Sequence, residues 1–357
     1  MDRTIDVNED GFRGARGEGA PTGSGRAGAG VLRGAFSAAL PVLFVGLLIT
    51  SGAFGAPDED FSVVVLPDTQ IYAWKYPEIF HAQTKWIAEN RAKHNIEYVL
   101  HVGDVVEHNN EEEWKIARKA VSLLDDKVPY AIALGNHDIG PGGSSKNRDT
   151  LFGEYFPLSE FKKWESFGGV YDREPDRGEN IYHVFHAGGR RWLILILEFA
   201  PRDDVLRWAG EVMGQHPDFP VILITHAYLH KDGRRYDRAI PHQHYPPQDY
   251  PIAADRAGLN TGEDIWRKLV SKNRNPVMVI SGHVCAAARL VSKGDAGNRV
   301  HQMVVDYQDL ERGGNGWLRL LHFSEGGRTV HVRDYSPVLG VWSDHPERRF
   351  EIQLDLP

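Results

Sequence analysis

Val99-Leu-His-Val-Gly-Asp-Val-Val-Glu107 is the stretch that decides how this chain folds. Its apolar opening reads as a buried strand, and the run breaks at Gly103, directly before the carboxylate of Asp104. Further on, Leu134-Gly-Asn-His-Asp138 repeats the arrangement with an amide and an imidazole. A strand ending in such a turn holds its polar group at the carboxyl edge of a sheet, where α/β folds place ligands. The same pattern closes Val63-Val-Val-Leu-Pro-Asp68, Val221-Ile-Leu-Ile-Thr-His226 and Val277-Met-Val-Ile-Ser-Gly-His283. Five strands are therefore expected to deliver Asp68, Asp104, Asn136, His226 and His283 to one edge. That mixed oxygen and nitrogen set suits a pair of divalent metals. Singly, each residue has a plainer explanation as a helix cap, a turn residue or a satisfied histidine. Their joint recurrence in chain order favours a metal centre.

Outside these turns, composition sets the limits. A chain of 357 residues can bury one full α/β core. Its net charge of −8 argues against a nucleic-acid-binding face. The single cysteine, Cys285, excludes an internal disulfide. Residues 1–30 are rich in Gly and Ala and cannot build a core. Arg26 and Arg33 then precede an apolar run over 35–49, and Ser51-Gly-Ala53 supplies the small residues a signal peptidase reads. Residues 1–56 are thus expected to be a leader with a secretory signal, making the chain exported, extracellular or in the cell envelope. A retained anchor, which needs about twenty apolar residues, is the second reading and the only expected membrane contact. Residues 57–357 are expected to form one domain.

Within that domain, strands alternate with helical spacing up to Leu134, a βαβαβ opening. Residues 152–176 are aromatic and charged without a period, an insertion expected to pack over the site. Segments 181–186 and 191–197 form a hairpin around Gly188-Gly189, and Pro201 opens a helix. More than thirty residues separate His226 from the helix near Ile265, a length typical of a functional cover or a disordered loop. Five short β segments follow His283 and are expected to build a second sheet.

The order Asp68, Gly103-Asp104, Gly135-Asn136-His137-Asp138, His226, Gly282-His283 resembles the calcineurin-like metallophosphoesterase superfamily, from Phe61 almost to the end. The resemblance implies an α/β fold, a two-sheet sandwich flanked by helices, with 57–357 as the catalytic domain. It also implies two divalent or trivalent ions (Mn, Fe, Zn or Mg) and hydrolysis of phosphomonoesters or phosphodiesters by a metal-bound hydroxide. Two ions about 3.5–4 Å apart clamp phosphoryl oxygens and activate water. Asp104, with two carboxylate oxygens, is the expected bridge. Asp68 would hold one ion, and Asn136, His226 and His283 the other. His137, beside a ligand, would protonate the leaving group. Glu107 stands where the family usually places an aspartate partner for that histidine, or is simply a solvated residue.

Two positions depart from the family. Gln70 replaces the histidine of the usual Asp-x-His, and Cys285 the second histidine of the usual Gly-His-x-His. Both belong to the ion held by Asp68. Gln70 could offer a carbonyl oxygen and Cys285 a thiolate, or Cys285 is merely a small buried group. His108, His230 or Tyr307 are further possible substitutes. For the substrate, a small or polymeric phosphoester, Arg202 could grip a phosphate oxygen or pair with Asp203 or Glu198. Asn136 and His230 are the other expected substrate contacts, and Asp306-Tyr-Gln308 could line the cleft. The alternatives to a hydrolase of small esters are a binding module that lost its chemistry and a serine/threonine protein phosphatase.

Overall fold

The apolar runs become strands buried on both faces, as parallel strands covered from two sides must be. This is seen in a computed structural model that describes residues 59–357. The expected leader over 1–56 lies outside the described residues. Strand β1 (Phe61–Leu66) is buried throughout, and β2 (Ile96–His101) and β3 (Tyr130–Ile132) lie parallel to it in the order β1-β2-β3. The chain then supplies β4 (Phe167–Val170), β5 (Ile181–Ala187), β6 (Arg190–Ile196), β7 (Val221–Ile224) and β8 (Pro276–Ser281). After these come β9 (Arg289–Lys293), β10 (Arg299–Val304), β11 (Leu318–Ser324), β12 (Thr329–Ser336), β13 (Val341–Trp342) and β14 (Arg349–Gln353).

Two mixed sheets result. One runs β13-β12-β11-β1-β2-β3 with β14 also on β12, and the other runs β4-β5-β6-β7-β8-β10-β9. They pack face to face: Phe61 of β1 meets Phe185 of β5 and Trp192 of β6, and Tyr98 of β2 meets His183 and Phe185. Helices cover the outside. After α1 (Gln70–Lys75), α2 (Pro77–Asn90) buries Ile79, Phe80 and Ile87, and its Trp86 lies on Tyr335 of β12. Next comes α3 (Glu111–Val121), whose N-terminal N–H groups are capped by the Asn110 side chain. Two short helices, α4 (Phe152–Tyr155) and α5 (Leu158–Phe161), precede α6 (Asp203–Gln215), which sets Trp208 against Tyr182 of the other sheet. This is the expected α/β sandwich flanked by helices.

Three placements differ from expectation. The β segments after His283 do not form a sheet of their own. Strands β9 and β10 extend the sheet of β8, whereas β11 pairs antiparallel with β1 and carries β12, β13 and β14 into the first sheet. The candidate ligands consequently come from the ends of two facing sheets, not from one edge. The 152–176 insertion packs beside α3 and β3, with Phe152 and Phe156 on Trp114 and Phe161 on Tyr130. What covers the site is the long loop after His226, which is ordered by short helical turns at Pro247–Asp249 and Pro251–Ala254. No described helix is long and apolar enough to cross a membrane.

Candidate metal centre

Backbone groups hold the candidate acids and imidazoles in place. Asp104 and His283 both adopt positive φ, 48° and 84°, conformations a non-glycine residue holds only when its surroundings impose them. Asp68 Oδ2 accepts the His283 N–H at 2.9 Å, and Asp104 Oδ1 accepts the His137 N–H at 2.9 Å. Close approach demands the neighbouring glycines. A Cβ on Gly135 would stand 2.0 Å from Asp104 Oδ1, and one on Gly282 would stand 2.0 Å from Asp68 Oδ1. Asp138, the last residue of its motif, is a brace, not a ligand. Its carboxylate accepts the N–H groups of Val105, Val106 and Gly135 and so clamps the two turns together.

The histidines are set to present bare nitrogens. His226 Nδ1 lies 2.9 Å from the Val102 carbonyl, which can only accept, so Nδ1 carries a proton and Nε2 is the nitrogen turned to the site. Burial lowers its pKa, but the Asp104 charge holds it above the ordinary value, so a bound cation would displace a proton from Nε2. That Nε2 points at Asp104 Oδ2, 3.1 Å away, and Asp68 Oδ2, 3.9 Å away. His283 is arranged the other way round. Its Nε2 donates to the Tyr245 carbonyl at 2.7 Å, leaving Nδ1 unprotonated. Asp104, His226 and His283 bring ligand atoms within 4.8 Å of one another. Tyr245 and Tyr250, both from the covering loop, complete the wall, Tyr250 packing on Phe199 and His283.

A fit to metal can be tested on the unmet hydrogen-bonding capacity. Asp68 Oδ1, Gln70 Oε1, Asn136 Oδ1, His226 Nε2, His283 Nδ1 and Asp306 Oδ2 are all buried, and none has a hydrogen-bond partner among the described residues. Buried polar atoms are rarely left this way, and six on residues at these strand ends and the adjoining turns need a shared reason. All six are lone-pair donors, the chemistry a cation requires. Electrostatics agrees. Burial raises the pKa of Asp68 well above the carboxylate range, and the charges of Asp306 and Asp104 raise it further. Burial also pushes Asp306 and Asp138 up to about 7. Asp104 stays below its ordinary value despite burial, because His226 and His137 adjoin it. Burial and the neighbouring His226 push His283 down to about 3, so it is a neutral base.

The remaining expected residues fall into two groups. His137 sits at the mouth with Nδ1 on the Glu107 backbone carbonyl at 2.9 Å; the Glu107 carboxylate is farther, at 3.7 Å. Burial lowers its pKa, but the Asp104 and Glu107 charges outweigh this and hold it above the ordinary value. Gln70 turns Nε2 toward Asp104 and Gln308, so Oε1 is the atom left free. Cys285 is half-buried, lies outside the Asp104, His226 and His283 set, and has its thiol pushed up to about 11 by burial and the Asp306 charge.

Arg202 does not reach outward. Both ends of its guanidinium are taken by Glu174 and Glu198 at 2.8–2.9 Å, so its charge is already matched. His230 braces the covering loop, accepting the His244 N–H at 3.1 Å and facing Asp232 at 3.2 Å. His108 pairs through Nδ1 with Glu113 and lies outside the Asp104, His226 and His283 set, and Tyr307 donates to the buried Asp334.

With the geometry established, the comparisons are direct. Residues 61–287 match the family model of the calcineurin-like phosphoesterases. The chain belongs to that family, whose chemistry is metal-dependent phosphoester hydrolysis. Over 285 residues it is 36% identical to the uncharacterized protein YvnB of Bacillus subtilis (strain 168); this covers 78% of the chain but 20% of that relative's length. Among solved structures it resembles the purple acid phosphatase PPD1 of yellow lupin (Lupinus luteus) seeds, at 15% identity and TM-score 0.46, covering 84% of this chain and 55% of that one. It also resembles the NAD nucleotidase NadN of Haemophilus influenzae, at 12% identity and TM-score 0.41, covering 83% and 50% respectively.

Proposed function

We propose that this chain hydrolyses phosphate monoesters or diesters with two metal ions that share Asp104. The observation supporting this reading is the convergence of Asp104, His226 and His283 on one another, with Asp68 at 3.9 Å from His226 Nε2, beside further unpartnered buried lone pairs on Gln70 and Asn136. Asn136 Oδ1, His226 Nε2 and His283 Nδ1 would hold one ion, and Asp68 the other. Bound cations would supply charge neutralisation for the phosphoryl oxygens and acidify a water molecule. Attack by that water's oxygen on phosphorus breaks the ester P–O bond, and the electron pair leaves with the ester oxygen. His137 keeps its Nδ1 proton against the Glu107 carbonyl, so Nε2 is the atom that hands a proton to the departing oxygen. Val102 and Tyr245 orient the two ligating imidazoles through their carbonyls. The substrate class is a small or polymeric phosphoester, and residues 35–53 are read as an export signal, to be checked by N-terminal sequencing of protein recovered outside the cell.

The test is hydrolysis of paired chromogenic mono- and diester substrates by the metal-reconstituted chain. Activity should appear with divalent metal, vanish with chelator and fall by on the order of a hundredfold or more in Asp104→Asn. Undiminished turnover in Asp104→Asn sinks the shared-ion reading.

A further inference from the structure

The ion assigned to Asp68 has lost both histidines the family would give it, and the structure offers an acid in their place. Asp306 follows β10 and is fully buried. An isolated antiparallel bridge between Ala286 and Asp306 ties it to the segment that leaves His283, with paired backbone hydrogen bonds of 3.0 and 3.1 Å. His283 in turn grips Asp68 through its N–H. One Asp306 oxygen is spent, since Oδ1 accepts the Gln308 N–H at 2.8 Å; Oδ2 has no partner among the described residues. The Gln308 side chain then receives Gln70 Nε2, which fixes Gln70 with Oε1 unpartnered. The Asp306 charge bears on Asp68 more strongly than that of Asp104 does, although Asp104 is the acid at the shared position. Two buried carboxylates in such proximity, each with a bare oxygen, call for a cation.

We infer that Asp306 Oδ2 is a ligand of the ion held by Asp68, with Gln70 Oε1 beside it, so that this position is built from oxygen alone. This rests on the metal-dependent reading above and deepens it. Cys285, one residue before Ala286, stays outside the coordination. The two positions then differ in kind. The one at Asn136, His226 and His283 accepts borderline metals such as Zn²⁺, while the one at Asp68, Gln70 and Asp306 prefers harder ions such as Mn²⁺ or Mg²⁺.

The experiment measures Mn²⁺ bound to the full chain by equilibrium dialysis with elemental analysis. Wild type should bind about two ions and Asp306→Asn about one, with affinity for the lost ion reduced at least tenfold. Cys285→Ala should keep both. A folded Asp306→Asn chain that holds both ions at wild-type affinity overturns the inference and leaves the hydrolase reading intact. A wild-type chain that binds no ion and hydrolyses no ester defeats the hydrolase reading itself. Cadmium-113 resonances of the wild-type chain provide a readout independent of whether the variant folds. An all-oxygen site gives one strongly shielded signal, whereas a signal shifted far downfield, as a thiolate ligand produces, would place Cys285 on the ion and overturn the assignment.

Discussion

His226 presents Nε2 to Asp104 Oδ2 at 3.1 Å while the Val102 carbonyl holds its Nδ1 at 2.9 Å. A neutral imidazole in this tautomer points a lone pair at a carboxylate. The contact becomes favourable only with a positive charge between or on the two groups. Without metal a proton on His226 supplies that charge, since burial lowers its pKa but the Asp104 charge outweighs this and holds it above the ordinary value. A bound cation replaces the proton and should add to folded stability. Chelator is expected to lower the melting temperature, and Mn²⁺ to restore it, by the equivalent of about 2.7 kcal/mol at a hundredfold excess over Kd. In Asp104→Asn the restoring effect should shrink sharply. Identical melting curves with and without metal would contradict a cation at this position.

The same buried acids make the metal-free chain sensitive to pH in a definite direction. Asp306 and Asp138 have folded pKa values pushed up to about 7 from an ordinary 3.8, Asp306 by burial and Asp138 by burial and the Asp104 charge. A folded state that keeps protons longer than the unfolded chain loses stability as pH rises. Their contribution is complete below pH 3.8 and gone once pH passes about 7. Asp104 adds no slope in that window, because its lowered pKa leaves it ionised in both states above 3.8. His101, His183 and His283, whose pKa values burial lowers to about 3, give the opposite slope up to 6.5. The acids are therefore read as the difference in melting temperature between the metal-free wild type and Asp306→Asn, which should fall from roughly pH 5 to pH 7. Loading metal should flatten the fall, because cations stabilise the ionised carboxylates. A wild-type minus Asp306→Asn difference that rises across this window would refute the assignment.

His137 is the one candidate acid with a free ring nitrogen at the mouth, so its removal should act on the leaving group. His137→Ala is expected to lower turnover of alkyl esters by about 10²–10⁴. Nitrophenyl esters, whose leaving oxygens need no proton, should lose far less. Metal content should not change, because Nδ1 is bound to the Glu107 carbonyl and not to a ligand. Equal losses on both substrate types would assign His137 to positioning instead.

The site was legible where one strand carried the information. Asp68, Asp104, Asn136, His226 and His283 each follow an apolar run that ends the same way, so local pattern sufficed to pick them out. Asp306 follows Val304-Val305 without a glycine, and what brings it to Asp68 is a two-residue bridge to Ala286 that no local rule announces. Tyr245 contributes only a carbonyl, a group every residue has. The return of β11 to β1 was hidden for a similar reason: antiparallel pairing across 260 residues leaves no periodicity to distinguish it from a hairpin sheet. For Arg202 the sequence offered Glu198 as a partner beside the phosphate role, but Glu174, its second partner, lies in the aperiodic insertion and carries no local signal.

That partnership yields its own prediction. Arg202 joins α6 to the insertion by four hydrogen bonds to Glu174 and Glu198, over the face of Tyr171. Arg202→Ala should therefore lower stability, on the order of 1–2 kcal/mol, by taking from the buried Glu198 the closer of its two arginine partners and leaving it only Arg148 at 3.2 Å. KM for either ester should stay at its wild-type value. A raised KM with unchanged melting would restore Arg202 to the substrate.

Gly282 carries a steric demand tied to Asp68, since an added Cβ would lie 2.0 Å from Asp68 Oδ1 and 2.7 Å from Val102 Cγ2. Neither neighbour can retreat easily. Asp68 is held by the His283 N–H, and the Val102 carbonyl accepts from His226 Nδ1 and so orients that ring. Gly282→Ala should cost about 1–3 kcal/mol of stability through overpacking. It should also displace Asp68, so the ion assigned there is expected to weaken first, while the ion at Asn136, His226 and His283 persists. Titration with Mn²⁺ followed by elemental analysis checks the order of loss. If both ions survive at full affinity, the fit between Gly282 and Asp68 is looser than the 2.0 Å approach implies.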